Sequence, residues 1–535
     1  MTAPSVLART GPDAPGGPGV PGKALRAASG VVAAGVAVGV GHLVASFVNP
    51  TASPVIAVGS ALIDAAPTPA KTFAVRLLGN YDKPVLIGAV GVALLVFAAV
   101  LGLVAWSHRR VALVGIALLG VVGAGTAVYR GDLLDAVPSL VAGAAGVAAL
   151  LLLVARSARS APTSATASTT ATTTTGTTTG TGGRRGFLAA LGLTALVAAL
   201  AGGGGVVVGR VRSAGALARR GTGLPAPTSP APPLPAGAQI PGMTPFTTPV
   251  DSFYRVDISL VTPQIDASSW SLTIDGMVDS PLTLTYDELL AMPLIERDIT
   301  LTCVSNEVGG SYVSSGRWLG VPFSAILEKV GVQAGADQVY SYSLDSGYTA
   351  STPLQAVSDG RDAMIAVGLD GQPLADARGY PARMIVPGLF GFVANTKWLE
   401  RIEFTTYAKR TAYWTERKWA TDGPILTQSR IDLPKSLSTI PKDKPVIAGV
   451  AWAQHRGITK VEVKIDDGPW QEADLAVDAG LDLWRQWSLP FTGDAGLHSA
   501  TVRATDATGE TQPEARTKVF PDGARGWHQI QFTSE

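Results

Sequence analysis

The side chains that most often bind metals are scarce in this sequence. Among 535 residues there are one cysteine, Cys303, and five histidines. One cysteine excludes an intramolecular disulfide, a multi-cysteine zinc site and a cysteine-ligated iron–sulfur cluster. The histidines are scattered, and no two have a spacing that would place them together on one helix. A metal bound to this protein therefore needs some other arrangement of ligands.

Charged side chains are also scarce. They make up 16% of the chain, whereas hydrophobic residues make up 47%. Soluble domains are about one quarter charged, so part of this chain is predicted to lie in lipid. Lysine and arginine together number 42, and aspartate and glutamate number 41. This balance gives no basic surface for nucleic acid, and the sequence excludes that class of partner.

Five long apolar segments predict five membrane-spanning helices. Each is close to the roughly 20 residues that a helix needs to cross about 30 Å of hydrocarbon. The segments are 27–48, 85–106, 111–129, 136–155 and 187–208. The shorter apolar run 54–64 cannot span, and it is predicted to be part of an outer loop.

Lysines and arginines beside these segments predict their orientation. If all five span, the same side of the membrane receives Lys23, Arg26, Arg109, Arg110, Arg156, Arg159, Arg184 and Arg185. By the positive-inside rule, this side is the cytoplasm. The other side is less uniform, since it receives Arg210, Arg212, Arg219 and Arg220. The sequence thus predicts a cytoplasmic tail at 1–26, a membrane region at 27–209, and everything beyond it outside.

The fourth and fifth segments are joined by residues 160–183, mostly Thr, Ser, Ala and Gly, which predict a flexible loop. The loop leads into Arg184-Arg185 and an apolar stretch, a pattern similar to a degenerate twin-arginine export signal. Two arginines at the cytoplasmic end of a helix explain the dipeptide equally well. The export interpretation gains weight if the following domain carries a cofactor, because that route transports folded proteins.

The rest of the chain divides into a linker and two domains. Residues 210–249 are rich in proline and predict an extended, semi-rigid spacer. Residues 250–425 mix strands and helices and predict an α+β domain. Residues 426–535 have short strands separated by turn residues and predict an Ig-like β-sandwich. The predicted elements include helices 285–292 and 323–330 and strands 271–274, 383–386, 461–465, 484–489 and 500–504.

Cys303 lies in the segment Leu-Thr-Cys-Val-Ser-Asn-Glu-Val-Gly-Gly, residues 301–310. By base rate, a lone cysteine is a small buried apolar residue. Here Cys303-x-x-Asn306 resembles the cysteine motif of the sulfite oxidase family, in which the thiolate of this loop binds molybdenum. The pattern is weak alone, and its companions in the family's order make the resemblance strong.

The companion motifs extend the resemblance over about residues 245–535 and leave the five apolar segments outside it. They are Phe253-Tyr254-Arg255, the run Gly316-Arg317-Trp318-Leu319-Gly320-Val321-Pro322, Gly347-Tyr348 with Ser351, Arg378-Gly379-Tyr380-Pro381-Ala382-Arg383, Val386-Pro387-Gly388 and Lys397-Trp398. The C-terminal part resembles the family's dimerisation domain through Trp452, Trp470, Gln486-Trp487 and Trp527-His528. A homodimer is therefore one state that the resemblance allows.

The resemblance implies a molybdenum–molybdopterin cofactor with Cys303 as metal ligand. A soft thiolate suits a high-valent metal that dithiolene sulfurs already bind, and the pterin and oxo groups supply the remaining ligands. The implied cofactor-binding residues are Asn306, Arg317, Ser351, Arg378, Arg383 and Lys397. Without the resemblance, solvated faces or ion pairs explain these cations better, and a turn explains Asn306.

The implied reaction is oxygen-atom transfer on a small molecule, in which Arg255 holds the substrate and Tyr348 donates a hydrogen bond to it. Two positions depart from the sulfite-oxidising members. Val308 stands where they have an arginine, and Asp257 stands where they have a histidine. One cation fewer and one anion more weaken the binding of a small dianion. The sequence therefore predicts a sulfur- or nitrogen-containing substrate other than sulfite, with sulfoxides and N-oxides as candidates.

Other function classes stay open at this point. The chain shows no second redox motif, so an enzyme needs an unidentified electron carrier as its partner. The alternative is a non-catalytic, membrane-anchored binding or adhesion protein, which gives no reason for Cys303 together with a basic phosphate-binding set. A transporter is disfavoured, because the apolar segments carry almost no ionisable residues to mark a route across the membrane.

Overall fold

Two compact units make up the chain, Met1–Ala214 and Gly215–Glu535. The computed structural model describes residues 21–67, 82–130, 132–158, 181–219, 223–345, 347–440 and 445–535. Most of the predicted cytoplasmic tail and nearly all of the predicted flexible loop lie outside the described residues.

Helices form the described part of the N-terminal unit. They are α1 Lys23–Val48, α2 Pro54–Ala65, α3 Asp82–Val104, α4 Arg109–Arg130, α5 Ala136–Ala158 and α6 Thr181–Arg219. All of these except α2 are long and apolar enough to cross a membrane, in agreement with the five predicted segments. Their outward side chains are largely apolar, such as Val92, Leu118 and Leu193, which is consistent with contact with lipid.

Glycines allow α1 to pack closely against α3. A Cβ on Gly30 would lie 1.9 Å from the carbonyl oxygen of Ala98, and one on Gly102 would lie 2.4 Å from that of Arg26. Neither position therefore accepts a side chain unless the two helices move apart. Small residues serve this purpose in membranes, where close van der Waals packing drives helix association.

The N-terminal unit differs from the sequence prediction in two places. Residues 54–64, predicted as part of an outer loop, form helix α2, which begins at Pro54, a residue favoured in the first turn. Helix α6 continues to Arg219, well past residue 208, the predicted end of the fifth span. Proline, the strongest helix breaker, is absent from 181–219, so the helix extends through residues assigned to the linker.

Two sheets and short helices form the first part of the C-terminal unit, as predicted for an α+β domain. The strands are β1 Ser271–Gly276, β2 Leu282–Thr285, β3 Ile295–Thr302, β4 Val313–Pro322, β5 Gln338–Ser343, β6 Thr349–Pro353, β7 Met364–Leu369, β8 Gln372–Pro373, β9 Arg383–Ile385 and β10 Leu399–Thr405. The helices are α7 Tyr286–Leu290, α8 Phe323–Val330, α9 Gln355–Ser358, α10 Gly391–Ala394 and α11 Tyr413–Glu416.

Two sheets form the core of this domain, and the long β3–β4 hairpin belongs to the second of them. One sheet has the order β2-β1-β10-β5-β6, in which only β1 and β10 are parallel. The other is antiparallel with the order β3-β4-β7-β8, and β9 pairs with β7. The β3–β4 hairpin buries Ile299, Leu301 and Trp318 in the core, and it connects through the segment that contains the single cysteine.

Local sequence accounts for helices α7 and α8. Thr285 Oγ1 accepts a hydrogen bond from the Glu288 N–H at 3.3 Å, and the Glu288 carboxylate accepts one from the Thr285 N–H at 2.8 Å. This capping box begins α7. Helix α8 buries Phe323, Ile326 and Val330, which is the helical spacing that predicted it.

Residues 223–249 do not form the predicted spacer. Ala238 is fully buried and Phe246 is 4% exposed, and both belong to the main core of the domain. The Glu296 N–H donates to Ser229 O at 2.9 Å, which fixes the segment beside β3. The proline-rich chain therefore lies on the domain as an irregular layer, because its few apolar side chains find a buried site there.

Two four-stranded antiparallel sheets form the last part of the chain, here called the C-terminal β-domain. One contains, in spatial order, β11 Gln428–Leu433, β12 Val446–Trp452, β16 Arg485–Pro490 and β15 Asp474–Leu475. The other contains β14 Trp470–Glu472, β13 Ile458–Ile465, β17 Gly496–Asp506 and β18 His528–Ser534. Val463, Trp487 and Phe532 are fully buried in their common core, and the predicted strands in this region are all present.

Asp506, at the end of β17, stabilises the C-terminal β-domain. Burial raises the pKa of Asp506, but hydrogen bonds from Arg456, Thr508 and Thr427 outweigh burial and lower the pKa to about 2, from an ordinary value of 3.8. The carboxylate therefore stabilises the fold above its ordinary pKa, and this contribution is lost as the pH falls through about 2. We expect Asp506→Asn to lower the free energy of unfolding at pH 7 by roughly 2 kcal/mol.

Urea unfolding followed by tryptophan fluorescence measures this loss. Asp467→Asn is the matched control, because Asp467 lies exposed in the turn after β13. An equal loss in the control variant, or none in Asp506→Asn, would contradict the assignment.

Candidate active site

Cys303 follows strand β3 directly, where the chain turns towards β4. The Cys303 N–H donates to Tyr312 O at 3.0 Å, and the Asn306 N–H donates to Cys303 O at 3.0 Å. Asn306 Oδ1 accepts from the Tyr312 N–H at 2.8 Å. Residues 303–312, called the cysteine loop, are thus closed by backbone bonds and braced from within by the Asn306 side chain.

The Cys303 thiol is buried beside positive charge. The residue is 8% exposed, and the Ser305 N–H donates to Sγ at 3.4 Å. Burial raises the pKa of the thiol, while the hydrogen bonds from Ser305 and the charge of Lys397 oppose that rise. A metal cation that replaces the proton removes the cost of burying the thiolate. Among the described residues, no three His, Cys, Asp or Glu side chains form a metal site, so such a metal brings its other ligands with it.

Two half-buried tyrosines lie near the thiol. Burial raises the pKa values of Tyr254 and Tyr348, and the charge of Cys303 raises both further. Tyr348 Oη donates to Phe392 O at 3.3 Å. Both phenols therefore keep their protons, and the Tyr348 proton, held only by the long bond to Phe392 O, can turn to a bound ligand. The sequence singles out Tyr348 but not Tyr254, whose only signal is its place beside Arg255 in the family motif.

Arg378 and Arg383 form a buried pair of guanidinium groups. Arg378 donates to Tyr254 O at 2.9 Å and to Val250 O at 2.7 Å. Arg383 Nη1 donates to Arg378 O at 3.2 Å, and its guanidinium lies 5.0 Å from the centre of the Trp318 ring. Burial lowers the pKa of Arg383 to about 10. Since these hydrogen bonds all go to backbone carbonyls, the pair favours an anionic ligand.

Lys397 and Arg255 share one carboxylate. Asp257 Oδ2 accepts from Lys397 Nζ and from Arg255 Nε, both at 2.7 Å. The Asp257 side chain is 4% exposed, against 12% for Lys397 and 37% for Arg255. Burial lowers the pKa of Lys397 to about 8 even though the charge of Asp257 opposes the change. The aspartate that departs from the family pattern therefore neutralises part of the positive charge of the site.

Asn395 is a further site residue that the sequence does not single out. It follows helix α10 and is 7% exposed. Neither polar atom of its amide has a hydrogen-bond partner in the part of the chain that the structure describes. Its Nδ2 and the Tyr254 hydroxyl both lie beside Gly391. A buried amide without partners needs a bound group to satisfy it.

Two of the predicted cofactor-binding residues lie away from this group. Arg317 binds both carboxylate oxygens of Asp298 at 2.8 Å, on the face of β4 opposite to Trp318. Ser351 accepts a hydrogen bond from Gln338, on the face of β6 opposite to Thr352, which bonds Val393 O. The structure brings together Cys303, Arg255, Tyr348, Asn306, Arg378, Arg383 and Lys397, and it gives Arg317 and Ser351 partners of their own.

The assembled residues fit an anionic organic cofactor that carries a metal. Among the residues assembled here, three buried side-chain donors lack a partner in the described part of the chain: Asn306 Nδ2, Arg383 Nε and Asn395 Nδ2. The thiol of Cys303 offers one soft ligand, and the two arginines and Lys397 offer charge for a phosphate. Orphaned donors of this kind are rare in a finished protein interior and indicate a missing acceptor.

Comparison with known proteins agrees with this geometry. The sequence profile described as "Oxidoreductase molybdopterin binding domain" matches residues 259–414. That range includes the cysteine loop, Tyr348, Arg378, Arg383 and Lys397, whereas Arg255 precedes it. Its description supplies the cofactor that the unpartnered donors call for, a molybdopterin.

Individual relatives cover about half of the chain. Mitochondrial sulfite oxidase of Homo sapiens is 26% identical over 338 residues, which is 53% of this chain and 61% of the relative. Nitrate reductase [NADH] of Solanum lycopersicum is 29% identical over 336 residues, 50% of this chain and 36% of the relative. The crystal structure of the sulfane dehydrogenase SoxCD from Paracoccus pantotrophus aligns with a TM-score of 0.47 at 25% identity, covering 54% of this chain and 82% of that one. The chain thus spans about 61% of the mammalian sulfite oxidases that it matches.

Proposed function

Because the chain belongs to the sulfite oxidase family of molybdopterin-dependent oxidoreductases, we propose that it transfers an oxygen atom to or from a small sulfur- or nitrogen-containing molecule other than sulfite. The observation that carries this proposal is the buried Cys303 thiol, surrounded by buried cations and by unpartnered donors. A binding module without a cofactor would leave these donors unsatisfied at a cost of about 1–3 kcal/mol each.

The residues of the site divide between holding the cofactor and orienting the substrate. Cys303 is the metal ligand, and Asn306 holds the shape of its loop. Arg378 and Arg383 hold the phosphate, and Lys397, which shares Asp257 with Arg255, contacts the cofactor on the side where an anion enters. The bound cofactor supplies oxygen-atom transfer coupled to a two-electron change. Arg317 and Ser351 are left out of this set, because Asp298 and Gln338 already engage them.

Tyr348 and Arg255 are the substrate-orienting residues in this proposal. The raised pKa of Tyr348 keeps its hydroxyl protonated, so it donates a hydrogen bond to an oxygen of the substrate. Arg255 is the most open of the cations around Asp257 and lies where a polar substrate meets the site. The chain uses both groups as donors, which suits a neutral S=O or N–O group as well as an anion.

Asp257 is the reason to exclude sulfite. Its carboxylate is almost fully buried and accepts from two of the nearby cations, Arg255 and Lys397. A dianion entering beside it meets repulsion from a charge that water barely screens. A neutral sulfoxide or N-oxide meets no such repulsion.

A comparison of substrates tests the proposal. The purified, cofactor-loaded protein is given sulfoxides and N-oxides with a reduced dye, and sulfite with an oxidised dye. We expect kcat/KM for a neutral oxide to exceed that for sulfite by about 100-fold, or roughly 2.7 kcal/mol. Rapid sulfite oxidation with no turnover of neutral oxides would overturn the substrate assignment.

Inhibition by sulfate should weaken as the pH rises. Lys397 has a pKa of about 8, so it is charged below that pH and neutral above it. Sulfate keeps its charge throughout, and its inhibition constant should rise by up to about tenfold per pH unit above the pKa of Lys397. The KM of a neutral oxide is the internal control and should stay nearly constant. A flat inhibition constant between pH 7 and 10 would show that Lys397 does not face the anion.

The membrane unit and the C-terminal β-domain complete the proposal. The five apolar helices and their flanking cations support an anchor in the cytoplasmic membrane, with the molybdopterin domain outside. An electron carrier is then needed on that side, because the sequence holds no second redox motif. The two sheets of the C-terminal β-domain are compatible with the Ig-like class and with pairing of two chains.

A further inference from the structure

The C-terminal β-domain contacts the strand that leads into the cysteine loop. The Thr300 N–H donates to Asp482 O at 2.9 Å, and Thr300 Oγ1 accepts from the Trp484 N–H at 2.9 Å. Gln454 Nε2 donates to Thr302 Oγ1 at 2.9 Å, and Gln454 is fully buried. The end of β3, immediately before Cys303, is thus held by two separate segments of the C-terminal β-domain.

The same domain also contacts the far end of the cysteine loop. Arg430 Nη1 donates to Gly310 O at 2.8 Å, and Arg430 is itself fixed by Asp432 at 2.6 Å. The ring of His528 lies against Gly309, so that a Cβ on this glycine would sit 2.2 Å from His528 Cδ2. Gly309 has a φ of +76°, a conformation that favours glycine for its own reasons.

His528 is held in one orientation. Its Nδ1 accepts from the Ile431 N–H at 3.0 Å, which requires the ring to be unprotonated at that nitrogen. Burial, together with the charge of Arg430, lowers the pKa of His528 to about 4, so the neutral ring is the form present at neutral pH. The ring therefore acts as a fixed flat surface on which Gly309 rests.

We propose that His528 and Arg430 are positioning residues that shape the cysteine loop and thereby fix the direction of Cys303 Sγ. This inference rests on the proposed role of Cys303 as metal ligand. Arg430 and His528 contact the loop at Gly309 and Gly310, beyond Cys303, while Thr300 and Thr302 are held before it. The C-terminal β-domain therefore has a part in building the metal site, in addition to the pairing of chains that its sequence implies.

The single cysteine of the chain makes a direct test. The full-length protein, produced in cells that cannot make molybdopterin, has one thiol, so its reaction with an aromatic disulfide reports on Cys303 alone. We expect His528→Ala to speed this reaction by about tenfold or more, corresponding to roughly 1.4 kcal/mol of lost protection. His528→Asn should stay within about threefold of the unchanged protein, because its Oδ1 can replace Nδ1 as the acceptor for Ile431.

His498→Ala is the matched control, since His498 lies in the same β-domain and is hydrogen-bonded to Asp466. The increase in His528→Ala should not depend on urea below the unfolding transition, because the loop opens locally. Equal acceleration in the control, or a rate that follows global unfolding, would reduce His528 to a general stabilising residue. An unchanged rate in a folded His528→Ala protein would overturn the proposal.

Gly309→Ala provides an independent check. Alone, it should also speed the thiol reaction, since its Cβ overlaps His528. Combined with His528→Ala, its further effect should shrink, because the obstructing ring is gone. Full additivity of the two changes would contradict a direct contact between ring and loop.

A second readout uses the cofactor-loaded protein. The paramagnetic resonance spectrum of the half-reduced metal should change in His528→Ala and return towards normal in His528→Asn. If the unchanged protein contains no molybdenum, the proposed function fails while the thiol test of the loop still stands. If molybdenum is present and His528→Ala changes neither the thiol reaction rate nor the resonance spectrum, the positioning role fails and the proposed function stands.

Discussion

Cys303→Ala should leave the protein folded and almost free of molybdenum. The unchanged protein is expected to carry about one molybdenum per chain, and the variant less than about one tenth of that, because no other thiolate exists to replace the ligand. Turnover should fall by about 1,000-fold or more, well beyond the 10–100-fold typical of residues that only support a metal ligand. Elemental analysis and steady-state rates measure the two effects.

The matched control for this change is Ser311→Ala, at an exposed position of the same loop. Its molybdenum content should equal that of the unchanged protein. Cys303→Ala removes a small buried side chain, so circular dichroism should show an intact fold in both variants. Full molybdenum content in Cys303→Ala would remove the metal-ligand assignment, and an empty unchanged protein would favour a binding or adhesion role instead.

Asp257→Asn should shift the preference of the enzyme towards anions. The change removes the negative charge that two cations now share and frees donors of Arg255 and Lys397 for a substrate. We expect kcat/KM for sulfite to rise by about tenfold or more, a gain of roughly 1.4 kcal/mol. The same variant should show no gain in kcat/KM for a neutral oxide, because the binding of an uncharged substrate does not depend on the net charge of the site.

The expected gain for sulfite should depend on pH. Asp257 raises the pKa of Lys397 against the effect of burial, so its removal lowers that pKa below about 8. The variant should therefore bind anions best in mildly acidic solution, where Lys397 is still charged. Asp251→Asn, at an exposed position nearby, is the control and should change kcat/KM for neither substrate. A uniform loss for both substrates would indicate that Asp257 serves only to stabilise the fold.

Local sequence patterns predicted those elements that depend on local interactions. Helix α8 has the same bounds in the sequence prediction and in the structure, because the burial period of Phe323, Ile326 and Val330 sets them. The apolar segments of the N-terminal unit can also be predicted from the sequence, since length and composition alone define them. Strand positions in the C-terminal β-domain followed from alternation and turn residues such as Asp467-Gly468.

Elements that depend on distant contacts were harder to predict. The proline-rich stretch before residue 250 has no hydrophobic period, yet Phe246 enters the core and fixes it to the domain. Helix α6 exceeds its apolar core, because polar residues continue a helix wherever no proline stops it. The packing of Phe246 is not encoded in a window of neighbouring residues, whereas the extension of α6 follows from the lack of proline at 209–219.

The candidate site shows the same division. Family motifs identified Cys303, Tyr348, Arg378, Arg383 and Lys397, and the structure places these residues around one buried thiol. Motif membership also suggested Arg317 and Ser351. Arg317 lies on the face of β4 opposite to Trp318, and Ser351 lies on the face of β6 opposite to Thr352. The unsatisfied amide of Asn395 becomes visible only in the fold, where none of the described residues pairs with it.

Contact between His528 and Gly309 has a consequence for the order of events during synthesis. The ribosome makes the cysteine loop long before it makes β18, so the nascent chain presents Cys303 on a loop that lacks one of its supports. A cofactor can meet the completed loop only after the C-terminal β-domain has emerged and folded. Assembly of the holoprotein is thus a late step, and any translocation of a loaded domain must move a finished, compact body across the membrane.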